Sequence, residues 1–191
     1  MQTTTIIRRT ADGWQRRTQL DFDKLMATEK AVAAVTRRAT SISVVYDYWH
    51  GLMRDGVVPI EDFMPPPNLG REGSTITLID VDVENPWHYR FTSHNGLYFG
   101  GMDGKCLSEF PLAPVVDECA IEYFECKSAG RPAAHHIQHK LSGFSRNNLR
   151  LLLPLAGNDG SPTALVSVAR HLALQYPDES SQAIRRDSTR P

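Results

Sequence analysis

Four glycines, Gly96, Gly100, Gly101 and Gly104, fall within nine residues, and Lys105 and Cys106 follow at once. A glycine-rich turn ahead of a lysine is one way a chain cradles phosphate, because backbone N–H groups can close on the anion. The details do not support that chemistry. A nucleoside-triphosphate loop needs a Ser or Thr hydroxyl after the lysine to hold magnesium, and Cys106 occupies that place. A dinucleotide fingerprint needs GxGxxG opening a long helix after a parallel strand, and neither spacing is present. The glycines therefore read as turn formers where the chain leaves a sheet.

The titratable residues are weighed in the same way. Of seven histidines, His135 and His139 share a strand parity, but residues four apart on a strand lie about 13 Å apart, too far for one metal ion. His135 and His136 point to opposite faces, and all of these read as surface or internally satisfied side chains. Asp117, Glu118, Glu122 and Glu125 are helical neighbours, a pattern that usually marks a solvated face. Three cysteines, Cys106, Cys119 and Cys126, form no CxxC. They make neither a disulfide framework nor a zinc knuckle. Cys119 and Cys126 share a helix face, most simply as core packing. No G-x-S-x-G elbow is present. Arg90 and Arg150 each sit in an apolar strand, where an arginine snorkels outward or pairs with an acid or an anion; outward snorkelling is the reading preferred here.

The elements that position these residues follow from periodicity. Residues 22–39 favour a helix, with acids early and Arg37 and Arg38 late. In the next segment Ile42, Val45, Trp49, Leu52 and Met53 form one apolar stripe, and Gly56 supplies a left-handed residue after its end. Strands are expected near 75–82, 87–93, 134–141, 148–155 and 163–173, with a helix after the glycine loop that ends at Gly130 and Pro132. Tight turns make successive strands antiparallel. The expected fold class is α+β: a five-stranded antiparallel sheet with helices on one face. Residues 1–21 read as a mobile N-terminal arm, 22–56 as N-terminal helices, 57–176 as the main domain and 177–191 as a disordered tail.

With 191 residues and a net charge of -1, the chain is long enough for a core and has no global pull toward nucleic acid or an anionic membrane. No run of 18 apolar residues is present. The cysteine usage fits a reducing compartment, so a cytoplasmic location is expected.

The ordered set of elements resembles the PAS domain, in which a two-stranded hairpin is followed by short crossover helices and three further strands. More closely, the chain is similar to a family of small stand-alone bacterial PAS-like proteins. The matching stretches are YWHGLMRDGVVP (48–59), HYRFTSHNGLYFGGMDGKCLSE (88–109), SAGRP (128–132) and LRLLLPLAGNDG (149–160). The family's Tyr-Arg pair matches Tyr89 and Arg90. Its Gly-(Lys/Arg)-x-Leu matches Gly104, Lys105, Cys106 and Leu107. Its Leu-Pro-Leu strand before Asp-Gly matches Leu153, Pro154, Leu155, Asp159 and Gly160. The family's Asp-Pro before the first strand and its Gly-Thr after Tyr-Arg are absent here.

The resemblance implies a sensory or regulatory module that is not an enzyme. It implies an apolar ligand cavity lined by Tyr89, Phe91, Tyr98, Phe99, Met102 and Tyr123. It names no cofactor. Haem-binding PAS domains usually take a histidine from the crossover helix, and residues 115–128 contain none; flavin-attaching ones use an Asn-Cys-Arg context, unlike GKCLSE. No kinase, cyclase or DNA-binding segment accompanies the domain, so output is expected through a homodimer or a partner protein, with no nucleic-acid or membrane partner. The alternatives are a small α+β enzyme of ketosteroid-isomerase type and an interaction protein with a filled core.

Overall fold

The computed structural model describes residues 4–10, 13–36, 41–64, 74–95, 103–110, 113–141 and 144–172. Its elements, in chain order, are β1 (Thr5–Thr10), β2 (Gly13–Gln19), α1 (Phe22–Thr36), α2 (Ser41–Gly51), β3 (Ser74–Asp80), β4 (Arg90–Asn95), α3 (Ala113–Ala129), β5 (Ala133–Leu141), β6 (Phe144–Ala156) and β7 (Pro162–His171). They form one antiparallel sheet in the order β1-β2-β5-β6-β7-β3-β4.

Five of these strands are the expected ones. The hairpin β3–β4 is followed by the α3 crossover and then by β5–β7, and β7 returns to pair with β3. The sheet nevertheless has seven strands, not five. The segment read as a mobile arm supplies the other two: β1 pairs with β2, and β2 runs along β5 from Gly13 opposite Leu141 to Gln19 opposite His135. Its sequence, GWQRRTQ, carries polar residues on both faces, so no apolar alternation reveals it as a strand. The expected tail at 177–191 lies outside the described residues.

The helices also lie on both faces rather than one. On the first face α1 and α2 pack Leu25, Met26, Ile42, Val45 and Trp49 against Leu151, Leu153, Leu155, Val166 and Val168. On the second face α3 packs Val115, Val116, Ala120 and Tyr123 against Ile79, Leu152, Leu165 and Tyr89. Two-faced burial explains why β6 reads RLLLPLA with little alternation. Pro154 is tolerated in β6 because the β5 register begins with Ala133 opposite Leu152, so that flank carries no ladder at Pro154. The Trp49 indole Nε1 instead donates to the Pro154 carbonyl at 3.0 Å, fixing α2 on the sheet. Arg170 of β7 grips the buried Glu29 of α1 through two hydrogen bonds of 2.8 and 2.5 Å.

The stripe expected on α2 holds: Ile42, Val45 and Trp49 are buried, and Leu52 and Met53 pack against the same cluster. The helix ends at Gly51, earlier than expected. Asp55 (φ 52) and Gly56 (φ 86) then form a tight turn in which Arg54 faces Val57. In the 87–93 strand expectation, residues Pro86–His88 form a short 3-10 turn and the strand proper begins at Arg90.

The end of the glycine loop has a structural role. Gly104, at φ 78, donates its N–H to the Phe91 carbonyl at 2.7 Å, and Leu107 donates to Tyr89 at 2.8 Å. The Arg90 guanidinium, exposed, donates to the Gly104 carbonyl at 2.5 Å. The loop end is thus laced back along β4, a path that only a residue tolerant of positive φ can take.

Candidate functional site

Antiparallel register sets one face of the sheet residue by residue. On the side covered by α3, Gln15 of β2 lies opposite His139 of β5, which lies opposite Arg146 of β6. Arg17 lies opposite Ile137, and Ile137 opposite Asn148. Gln19 lies opposite His135, and His135 opposite Arg150. The α3 residues above them follow helical spacing: Glu118, Cys119, Glu122, Glu125 and Cys126. Most are buried, among them Gln15, Arg17, Glu122, His135, His139, Arg146, Asn148 and Arg150, while Gln19 and Glu125 are exposed.

Charge pairs join helix to sheet. The Arg150 Nη1 donates to Glu122 Oε2 at 2.5 Å, with the two side chains 4% and 0% exposed. The same nitrogen reaches Cys119 Sγ at 3.2 Å, and the guanidinium carbon stands 5.8 Å from the Tyr123 ring centroid. His139 Nε2 meets Glu118 Oε2 in a short contact. Arg17 donates to Glu125 at 3.1 Å, with Arg17 10% and Glu125 53% exposed.

This arrangement perturbs the titrations. Burial alone would raise the Glu118 carboxyl, but its hydrogen bond to His139 and the charges of His139, Arg150 and Arg17 bring it below its ordinary value. Burial costs Arg150 its charge, yet Cys119, Glu122, Tyr123 and Glu118 more than offset that, so the guanidinium stays ionised. Arg146 is pushed down to about 10 by burial first and then by Arg150. Burial lifts the Tyr123 phenol, and it pushes the Cys126 thiol up to about 12.

Several buried polar atoms here have no hydrogen bond: Gln15 Nε2, Glu122 Oε1, His135 Nδ1 and Arg150 Nε. Each such atom costs stability unless something pairs with it.

Two readings made from the sequence are corrected by this geometry. Arg150 does not snorkel outward; it is buried and paired, because both faces of β6 are covered. The acids of α3 form a solvated face only in part: Asp117 and Glu125 are half-exposed, but Glu122 is fully buried and Glu118 is mostly covered against His139. A polar stripe on a helix marks solvent only when the facing strands are apolar, and here those strands present arginine and histidine. Cys119 and Cys126 are buried, as expected of core packing.

Of the six expected ligand contacts, Tyr89 and Tyr123 are buried in the same cluster, and Phe91 packs half-buried against it. Tyr98, Phe99 and Met102 lie outside the described residues. The described clefts are lined by none of Tyr89, Phe91 and Tyr123. Tyr89 keeps an unpaired hydroxyl, its pKa raised by burial, and Lys127 Nζ stands 5.7 Å from its ring centroid.

No protein-family model and no curated protein matches the chain. Among solved structures, it is similar to that of a RsLOV variant, a LOV domain of the PAS fold family, at 17% identity. The match covers 61% of this chain and 70% of that one, with a TM-score of 0.41. Among the described residues, no helix is long and apolar enough to cross a membrane.

Proposed function

We propose that the chain is a PAS-like regulatory module that binds a small molecule against α3 and signals through a partner protein or a second copy of itself. One observation carries this reading. The crossover helix is tethered to the sheet by the buried Glu122–Arg150 ion pair, in which Glu122 Oε1 and Arg150 Nε lack partners. A filled apolar core would be the more stable way to seat a helix, since buried pairs often only break even against apolar replacements. Polar groups kept there at a cost are suited to a ligand that supplies the missing bonds.

Tyr123 links the two halves of this region. It belongs to the apolar cluster with Tyr89, and its ring faces Arg150. A molecule with a polar head and an apolar body suits such a surface, with Tyr89, Phe91 and Tyr123 as its apolar wall. Binding would shift α3 only in so far as the ligand prefers one helix position.

The Glu118–His139 pair favours a second, catalytic reading, since a buried acid–histidine dyad can move protons. The His139 side chain is 1% exposed, however, which weighs for a structural tether. Native mass spectrometry of the purified full chain tests the proposal. The expected result is an added small mass that disappears when the protein is unfolded; a bare chain in both states would count against it.

A further inference from the structure

The hairpin β1–β2 extends the sheet past α3 and leaves a groove along the helix flank. One part of the groove, about 220 Å³, is walled by Ile6, Arg8, Gln15, Arg17, Ile121 and Glu125, with Glu118 behind them. A second part, about 290 Å³, continues past Ile6, Arg17 and Glu125 to His135. The Arg17–Glu125 ion pair, at 3.1 Å, stands where the two parts meet. On either side of it lies an unpartnered polar atom of a residue only 3% exposed: Gln15 Nε2 on one side and His135 Nδ1 on the other.

The geometry points to a binding site for a small aliphatic carboxylate in this groove, with Arg17 as its anchor and the Glu125 side chain as the occupant it displaces. Glu125 already presents a carboxylate to Arg17. It comes from the exposed side of α3 and is 53% exposed, so on release it returns to water at little cost. Gln15 Nε2 is an amide donor with nothing to donate to, and a carboxylate on Arg17 gives it an acceptor. The other acid on this wall, Glu118, is engaged by His139, and Arg8 faces Asp117 at 3.6 Å. Arg17 is thus the buried cation of this groove, and its partner is the exposed member of the pair. Ile6 and Ile121, 48% and 37% exposed, would cover a short alkyl chain. A phosphate dianion suits the groove less, because Glu118 and Glu125 would face its second charge.

This site lies at the β2 edge of the α3–sheet interface and includes neither Glu122 nor Arg150, on which the proposed function rests, so it stands or falls separately. The test is a chemical-shift titration of the isotope-labelled full chain with sodium butyrate, at constant sodium, against butyramide as the neutral isostere. Butyrate is expected to shift the Gln15 side-chain amide and to bind at least about tenfold tighter than butyramide, as a charge-assisted bond implies. Glu125→Gln weakens the internal competitor, so it should tighten butyrate binding several-fold; Arg17→Met should lose it. Because Arg17 is buried, the Glu125→Gln result decides if Arg17→Met does not fold. Equal binding of butyrate and butyramide, no shift at Gln15, or weaker binding in Glu125→Gln would overturn the assignment.

Discussion

Substituting Arg150 by methionine leaves the Glu122 carboxylate, 0% exposed, without its cation in the α3–sheet interface. Breaking a buried pair from one side costs about 3–5 kcal/mol, because the remaining charge stays desolvated. The loss of the Cys119 contact and of the Tyr123 ring contact adds to this. For a chain of 191 residues that corresponds to a melting point lower by roughly 6–20 °C. The double variant Glu122→Leu with Arg150→Met removes both charges and fills the space with apolar atoms of similar size, so it should recover most of the loss or exceed the parent. Urea unfolding followed by circular dichroism on the parent, both single variants and the double variant gives the coupling directly. A single Arg150→Met variant within about 1 kcal/mol of the parent, or a double variant no better than the worse single one, would refute the reasoning.

Three further outcomes follow from the same structure. Under native conditions iodoacetamide should label Cys106 alone, with Cys119 and Cys126 reacting only after unfolding, since burial raises both thiols and shields them; native labelling of either contradicts this. The His135 ring is held below its ordinary value of 6.5 by burial, with Arg17 and Arg150 opposing its protonation and Glu122 and Glu125 partly favouring it. Between that lowered value and 6.5 the unfolded chain binds more protons, so stability should fall as pH drops from about 7.5 to about 5.5. His135→Gln should flatten that slope, and greater stability at the lower pH would contradict it. Light scattering should show the full chain as a dimer that Val44→Glu disrupts, because Val44 is 37% exposed beside the α2 stripe; a monomer before substitution counts against this.

Much of the fold was legible in the sequence because periodicity carried it. The five strands expected near 75–173 and the apolar stripe of α2 reflect alternation, turn residues and helical spacing that survive in the packed structure. The hairpin β1–β2 was not legible: its strands are Arg-rich, and it gains its place through the pairing of β2 with β5, a long-range event that leaves no local pattern. The placement of helices on both faces was foreshadowed by the run Leu151, Leu152, Leu153, which fills both faces of β6. The polar interface was misread for a physical reason. Glu118 and Glu122 look like a solvated stripe until Arg150 and His139 are brought opposite them, and only the register of β5 and β6 does that. An arginine inside a continuous apolar strand was the available signal, and two-faced burial is what turns it into a pair.

Hydrogen exchange over residues 113–129 tests the regulatory reading most directly. The full chain as purified is compared with the same chain unfolded, dialysed and refolded to strip any small molecule. If a ligand completes the buried bonds of Glu122 and Arg150, α3 should exchange more slowly in the purified form, while the β6 and β7 core stays unchanged. Identical exchange of α3 in the two forms would contradict the account.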